Sequence, residues 1–162
     1  MPTTIETYPL EKNKIIKRFI SAMTGWGVLL FIIGIALIVY LHSSLMLATG
    51  VWIFLAILLA AWQYVYETKY FEAYFYDAQP DFLVIKKGWI TPKETTLPYE
   101  KLQDVYVDQD IYDRIFGLVD VHVSTATMAS GMEAHIDGVN PANANKLREL
   151  ILAKIQEKKG KR

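Results

Sequence analysis

Residues 19–66 read FISAMTGWGVLLFIIGIALIVYLHSSLMLATGVWIFLAILLAAWQYVY, a stretch without a single Lys, Arg, Asp or Glu. Arg18 stands immediately before it and Glu67 immediately after. It divides into two apolar runs, 19–41 and 45–66, separated by the polar His42, Ser43 and Ser44. The polar side chains inside the runs are few: Ser21, Thr24 and Tyr40 in the first, Thr49, Gln63, Tyr64 and Tyr66 in the second. A bilayer core about 30 Å thick needs about 20 helical residues. Each run therefore suffices for one crossing, and the pattern predicts a transmembrane helical hairpin. A cleavable signal peptide fits poorly, because its apolar core is usually about 7–15 residues long and no second run follows it. A buried hairpin in a soluble core is the competing structure, and two adjacent uncharged runs of this length weigh against it.

The charges around the hairpin predict its orientation. Lys12, Lys14, Lys17 and Arg18 precede it, Lys69, Lys86 and Lys87 follow it, and the connecting turn carries none. Lys and Arg concentrate on the cytoplasmic side of short loops, so both termini are predicted cytoplasmic and the protein a multi-pass component of the cell membrane. Lys17, Arg18 and Lys69, with the aromatic cluster Trp62, Tyr64 and Tyr66, form the predicted membrane-interface set. Gly25, Gly27, Gly34 and Gly50 offer places for close helix approach, within the hairpin or in an oligomer. No ionisable Asp, Glu, Lys or Arg lies mid-membrane, which speaks against a transporter or channel.

The remainder bounds the chemistry. The chain has 162 residues, with 17 Lys and Arg against 17 Asp and Glu, and a neutral balance does not favour a nucleic-acid partner. There is no cysteine, so disulfides, thiolate nucleophiles and Cys-ligated metals are excluded. Residues 67–162 hold 13 basic and 15 acidic side chains. They follow the hairpin without a Gly/Ser/Pro-rich linker.

Strand signals run through the soluble part. Residues 70–76 are aromatic-rich, 77–81 (DAQPD) read as a turn, and 82–87 are apolar with a charged end. Gly88 punctuates, Trp89 and Ile90 restart the apolar pattern, and 95–97 close a strand before Pro98. Residues 102–107 follow. Val119, Val121 and Val123 alternate with Asp120, His122 and Ser124, the period of a half-buried strand. Residues 132–137 read as one more strand. Then the period changes: Asn140 as N-cap and Pro141 at the first helical position open a helix with Leu147, Leu150, Ile151 and Ile155 on one face, ending near Gly160. Short strands joined by turns predict an antiparallel sheet curled into a barrel or sandwich, with one helix covering it.

The segments FLVIKKGWI at 82–90, LPYEKLQDV at 97–105 and IYDRIFGLVDVHV at 111–123 resemble the prokaryotic PH-like domains of the bPH2 group, typified by YdbS-like membrane proteins. The resemblance extends over about residues 20–158. It implies an α+β membrane protein: a two-helix transmembrane hairpin, then a PH-like antiparallel β-barrel or sandwich capped by a C-terminal α-helix. The expected division is a cytoplasmic segment 1–18, the hairpin 19–66, a cytoplasmic PH-like domain 67–158 and a basic tail 159–162. Gly88, Pro98, Gly117, Asn140 and Pro141 are expected to determine the fold. Ile111, Ile115 and Phe116 are expected to form a helical turn covering the barrel wall.

PH domains that bind phosphoinositides gather bases around the first hairpin, and here that turn holds Asp77 and Asp81 and no base. Lys86, Lys87 and Lys93, around the next turn, are the candidate lipid-binding set, each base near an anionic surface contributing about 1 kcal/mol. His122 and His135 are expected on neighbouring strands, without an evident third ligand. The acidic run Asp104, Asp108, Asp110 and Asp113 lacks the order of a calcium loop and reads as a solvated strand end. No catalytic motif is present. The expectation is a non-enzymatic protein without cofactor or metal. It would act in protein–protein interaction or homo-oligomeric assembly at the cytoplasmic membrane face, with membrane lipids and a protein partner or further copies of itself, and no nucleic acid. The alternatives are an anionic-lipid or envelope-stress sensor and an accessory subunit of a membrane transporter or protease complex.

Overall fold

The computed structural model describes residues 2–40, 44–125 and 134–160. They fall into two compact units: Ile15–Lys69, and the described residues before and after it.

The first unit is a helical hairpin. Helices α2 (Asn13–Tyr40) and α3 (Leu45–Glu72) have 28 residues each, about 42 Å at 1.5 Å per residue. Both are long and apolar enough to cross a membrane. They outrun the predicted spans, because polar and aromatic turns at their bases continue the helical hydrogen bonding. Their outer faces are bare: Phe31 is 68% exposed, Val39 71% and Met46 89%. A soluble core helix would bury such side chains. At one end of the hairpin Arg18 Nε meets Glu67 Oε2 at 2.5 Å, and Gln63 Nε2 donates to Glu67 Oε1 at 2.8 Å. Phe19 packs edge-on against Tyr64. Further along, Trp52 Nε1 donates to the Leu30 carbonyl at 2.7 Å, and its ring closes on Gly34. Gly34 is thus a point of close helix approach. Gly25, Gly27 and Gly50 meet no described atom that a Cβ would touch.

The second unit contains two antiparallel three-stranded sheets. The first pairs β1 (Phe75–Ala78), β2 (Phe82–Lys87) and β3 (Lys93–Pro98) in that order. The second pairs β4 (Leu102–Asp108), β5 (Val119–Thr125) and β6 (His135–Val139). Helix α4 (Ile111–Phe116) joins β4 to β5, and α5 (Pro141–Lys159) packs on β4 and β5. The core draws on both sheets and on α5: Tyr76, Leu83, Ile85, Leu102, Val121, Ile136, Leu147 and Ile151 are fully buried. The alternation at 119–123 is realised, with Val119, Val121 and Val123 inward.

Four sequence expectations are corrected. No strand pairing joins the two sheets among the described residues, so the barrel is not closed. Pro98, which cannot donate to a ladder, and a 3-10 turn at Tyr99–Lys101 interrupt pairing between β3 and β4. The strand expected at 70–76 starts only at Phe75, since 70–72 still belong to α3, and Asp77 and Ala78 pair with Val84 and Leu83 instead of turning. The last strand, expected at 132–137, runs over His135–Val139, with 132 and 133 outside the described residues. Helix α4 does not cover a wall with its isoleucines: Ile111 is 77% exposed and Ile115 69%. Its capping box turns Asp113 inward, and the following Leu118 fills the core position.

The N-terminal residues belong to the sheet unit. Short helix α1 (Thr4–Thr7) sets Thr4 against the first hairpin: its backbone N–H and its Oγ1 both donate to Asp77 Oδ1 at 2.9 Å, and Oγ1 accepts from Ala78 N at 2.9 Å. Tyr76 Oη donates to the Tyr8 carbonyl. Leu10 bridges to Val139 on β6, and Asn140 Nδ2 donates to Glu11 Oε1 at 2.9 Å.

Candidate functional site

Polar side chains gather at three places in the sheet unit. The first is a buried charge cluster. Lys14, 1% exposed, brings Nζ to 2.9 Å from Asp137 Oδ2 and donates to the Asp137 carbonyl at 3.0 Å. Lys87 Nζ lies 3.3 Å from Asp137 Oδ1, and Tyr74 Oη donates to that same oxygen at 2.8 Å. The Lys14 ammonium also sits 3.6 Å from the centre of the Tyr74 ring. Burial alone would raise the Asp137 pKa, but Lys14 and then Lys87 outweigh it and hold the carboxyl well below its ordinary range. Burial, then the Asp137 charge, pushes the Tyr74 phenol far up. Gly138 makes room for the cluster. Its φ is +82°, and a Cβ there would stand 2.6 Å from Lys14 Cδ.

The second place is a ladder of rings. Tyr106, His122 and His135 stack across β4, β5 and β6, with centroids 5.0 and 5.2 Å apart. The two imidazoles thus lie side by side as the spacing predicted. His122 Nε2 is 3.0 Å from Asp108 Oδ1, and Asp120 Oδ1 accepts from Gly138 N at 2.8 Å. Asp108, Asp120 and His122 bring one ligand atom each within 4.8 Å of one another. This open, partly exposed group is the one among the described residues whose donors suit a cation. Burial, then Lys87, lowers the His135 pKa, so that imidazole is neutral near neutral pH.

The third is the β2–β3 turn. Period-2 alternation sends consecutive strand residues to opposite faces. Lys86 faces outward and pairs with Glu94 at 3.0 Å, both side chains about half exposed, whereas Lys87 faces inward to Asp137. Lys93 is exposed. Gly88 (φ +97°) holds the turn, and a Cβ there would meet the Thr91 carbonyl oxygen at 2.4 Å. Trp89 and Ile90 project from it, 39% and 59% exposed.

The neighbouring β1–β2 turn is covered by the chain itself. Lys158 on α5 pairs with Asp81, and Lys154 Nζ donates to the Gln79 carbonyl at 3.1 Å. Gly117 ends α4 with φ +67°, and Asn140 caps α5 by accepting from Asn143 N at 2.8 Å, with Pro141 at the first helical position. The interface set collects at one end of the hairpin: Lys17 and Arg18 in the first turns of α2, Trp62, Tyr64, Tyr66 and Lys69 in the last turns of α3. His42 and the tail residues 161–162 lie outside the described residues.

The partnership of Lys14 with Asp137, 123 residues apart, left no local trace in the sequence. Gly138 directly after a lone buried-strand Asp was the one available signal.

The family whose model matches this chain is described as Bacterial PH domain, and the match covers residues 18–155. The chain belongs to that family. The matched region includes nearly all of both long helices as well as the sheets. No curated protein and no solved structure matches it.

Proposed function

We propose that this protein is a non-enzymatic, membrane-anchored PH-like module that binds protein, a second copy of itself or another subunit, at the cytoplasmic face of the cell membrane. The observation that carries the reading is α4: a helix capped at both ends that turns Ile111 and Ile115 outward instead of into the core. Apolar side chains held rigidly in the open are typical of docking surfaces. The bare apolar faces of α2 and α3 support anchoring in lipid. Chain connectivity supports a double crossing with both ends on one side, because residues before the hairpin and after it fold into one unit.

The headgroup-sensor reading has less support. Lys87 is engaged by Asp137, and the acids of the first hairpin are engaged by Thr4 and Lys158, so the bases do not converge on one pocket.

The test is the mass of the full chain in nanodiscs, with every copurifying chain identified. The expected result is a defined oligomer or a stoichiometric partner, lost in Ile111→Asp/Ile115→Asp with circular dichroism unchanged. A monomer without partners, indifferent to that change, would contradict the proposal.

A further inference from the structure

We propose that the β2–β3 turn is a membrane-docking tip, which dips Trp89 and Ile90 into the interfacial zone of an anionic bilayer while Lys86 and Lys93 contact the headgroups. The proposal rests on the reading that α2 and α3 cross the membrane. Three observations carry it.

The first is position along the sheet. The chain leaves α3 at Glu72 and enters β1 at Phe75. The antiparallel register sets Phe75 opposite Lys86. The β2–β3 turn therefore leaves the sheet at the same end at which the chain arrives from the second long helix. The β1–β2 turn, at the far end, is the one the chain covers with its own α1 and α5.

The second is composition. An indole beside an exposed isoleucine, with lysines flanking both, is the mixture favoured where hydrocarbon meets headgroups. Lys86 opposes Glu94 and Lys93 opposes Lys87 across the strands, so the two exposed lysines lie on opposite faces of the hairpin, one either side of the tip. The third is rigidity. Gly88 fixes a turn that a Cβ would block, so the apolar pair is displayed without ordering a loose loop on contact.

The sequence has no cysteine, so one substitution gives one labelling site. The full chain is reconstituted into vesicles of phosphatidylcholine and phosphatidylglycerol and labelled at Ile90→Cys with an environment-sensitive fluorophore. Ile111→Cys and Val28→Cys serve as references on α4 and within α2. The expected result is a blue-shifted Ile90→Cys label quenched by spin-labelled lipid and shielded from iodide, with the Ile111→Cys label open to iodide. Lys86→Gln and Lys93→Gln should each lower the docked population about fivefold, and Lys→Arg at either should retain it. Quenching of Val28→Cys by lipid but not Ile90→Cys would overturn the tip and leave the anchor standing. Lipid quenching at neither site would overturn both. A shielded Ile90→Cys label that lipid does not quench would mean a protein covers the turn, and would also overturn the proposal.

Discussion

The two turns of the first sheet differ in what surrounds them. At the β1–β2 turn both carboxylates and the Gln79 carbonyl have partners from elsewhere in the chain: Thr4 on Asp77, Lys154 on the Gln79 carbonyl, Lys158 on Asp81. At the β2–β3 turn, one strand away, Trp89 and Ile90 are 39% and 59% exposed. The acidic turn, which as a string of letters invites a ligand or repels one, is internal structure. The turn that reads as ordinary punctuation is the one with surface to offer. Charge in a sequence marks a site only after its intramolecular partners have been counted.

Substitutions can break that contrast, beginning where the sealed side is deepest. Asp137→Asn leaves Lys14 and Lys87 buried around a neutral group. It should cost about 3–5 kcal/mol, read by thermal unfolding of the detergent-solubilised chain, and an unchanged midpoint would show that the cluster is not packed as described. Gly138→Ala forces a Cβ against the pinned Lys14 at a positive φ and should cost about 1–3 kcal/mol in the same assay. Thr4→Val removes the two hydrogen bonds that the hydroxyl makes to the first hairpin and should cost about 1–2 kcal/mol, with faster proteolysis of the N-terminal residues as a second readout.

His135 gives a smaller, pH-dependent effect. Its folded pKa is depressed below the unfolded value of about 6.5, so the unfolded chain takes up a proton that the folded chain refuses. The resulting stability is intact above that pH and declines as pH falls below it. His135→Asn should flatten the slope below about pH 6.5, and an unaltered slope would assign it to other groups. At the open turn, Ile90→Ser should shift stability by under about 0.5 kcal/mol, since the side chain is more than half exposed. A larger loss would show that the turn is packed after all.

What could be read beforehand followed from local periodicity. The uncharged stretch 19–66 announced two long helices, the alternation at 119–123 a strand, and Asn140 with Pro141 the start of α5. The twin imidazoles came from the same arithmetic. What escaped was long-range pairing. Lys14 looked like one of four membrane-orienting cations, yet it is the buried partner of Asp137, and Arg18 is held by Glu67. Lys86 and Lys87 looked like one basic patch, although the strand period alone sends them to opposite faces. Ile111 and Ile115 looked like core, because a helix of six residues is too short for its sequence to say which side faces in.

The salt bridge between Lys14 and Asp137 also has a schedule. A ribosome adding about 5–20 residues per second makes the lysine about 6–25 seconds before the aspartate. In that interval both long helices emerge, and although Thr4 and Tyr8 can already meet β1, Lys14 has no carboxylate to pair with. Leu10 waits for Val139 in the same way. The sheet unit is therefore finished last, once β6 and then α5 have cleared the exit tunnel. A nascent chain stalled before residue 137 should present a completed hairpin with residues 10–14 still open to protease.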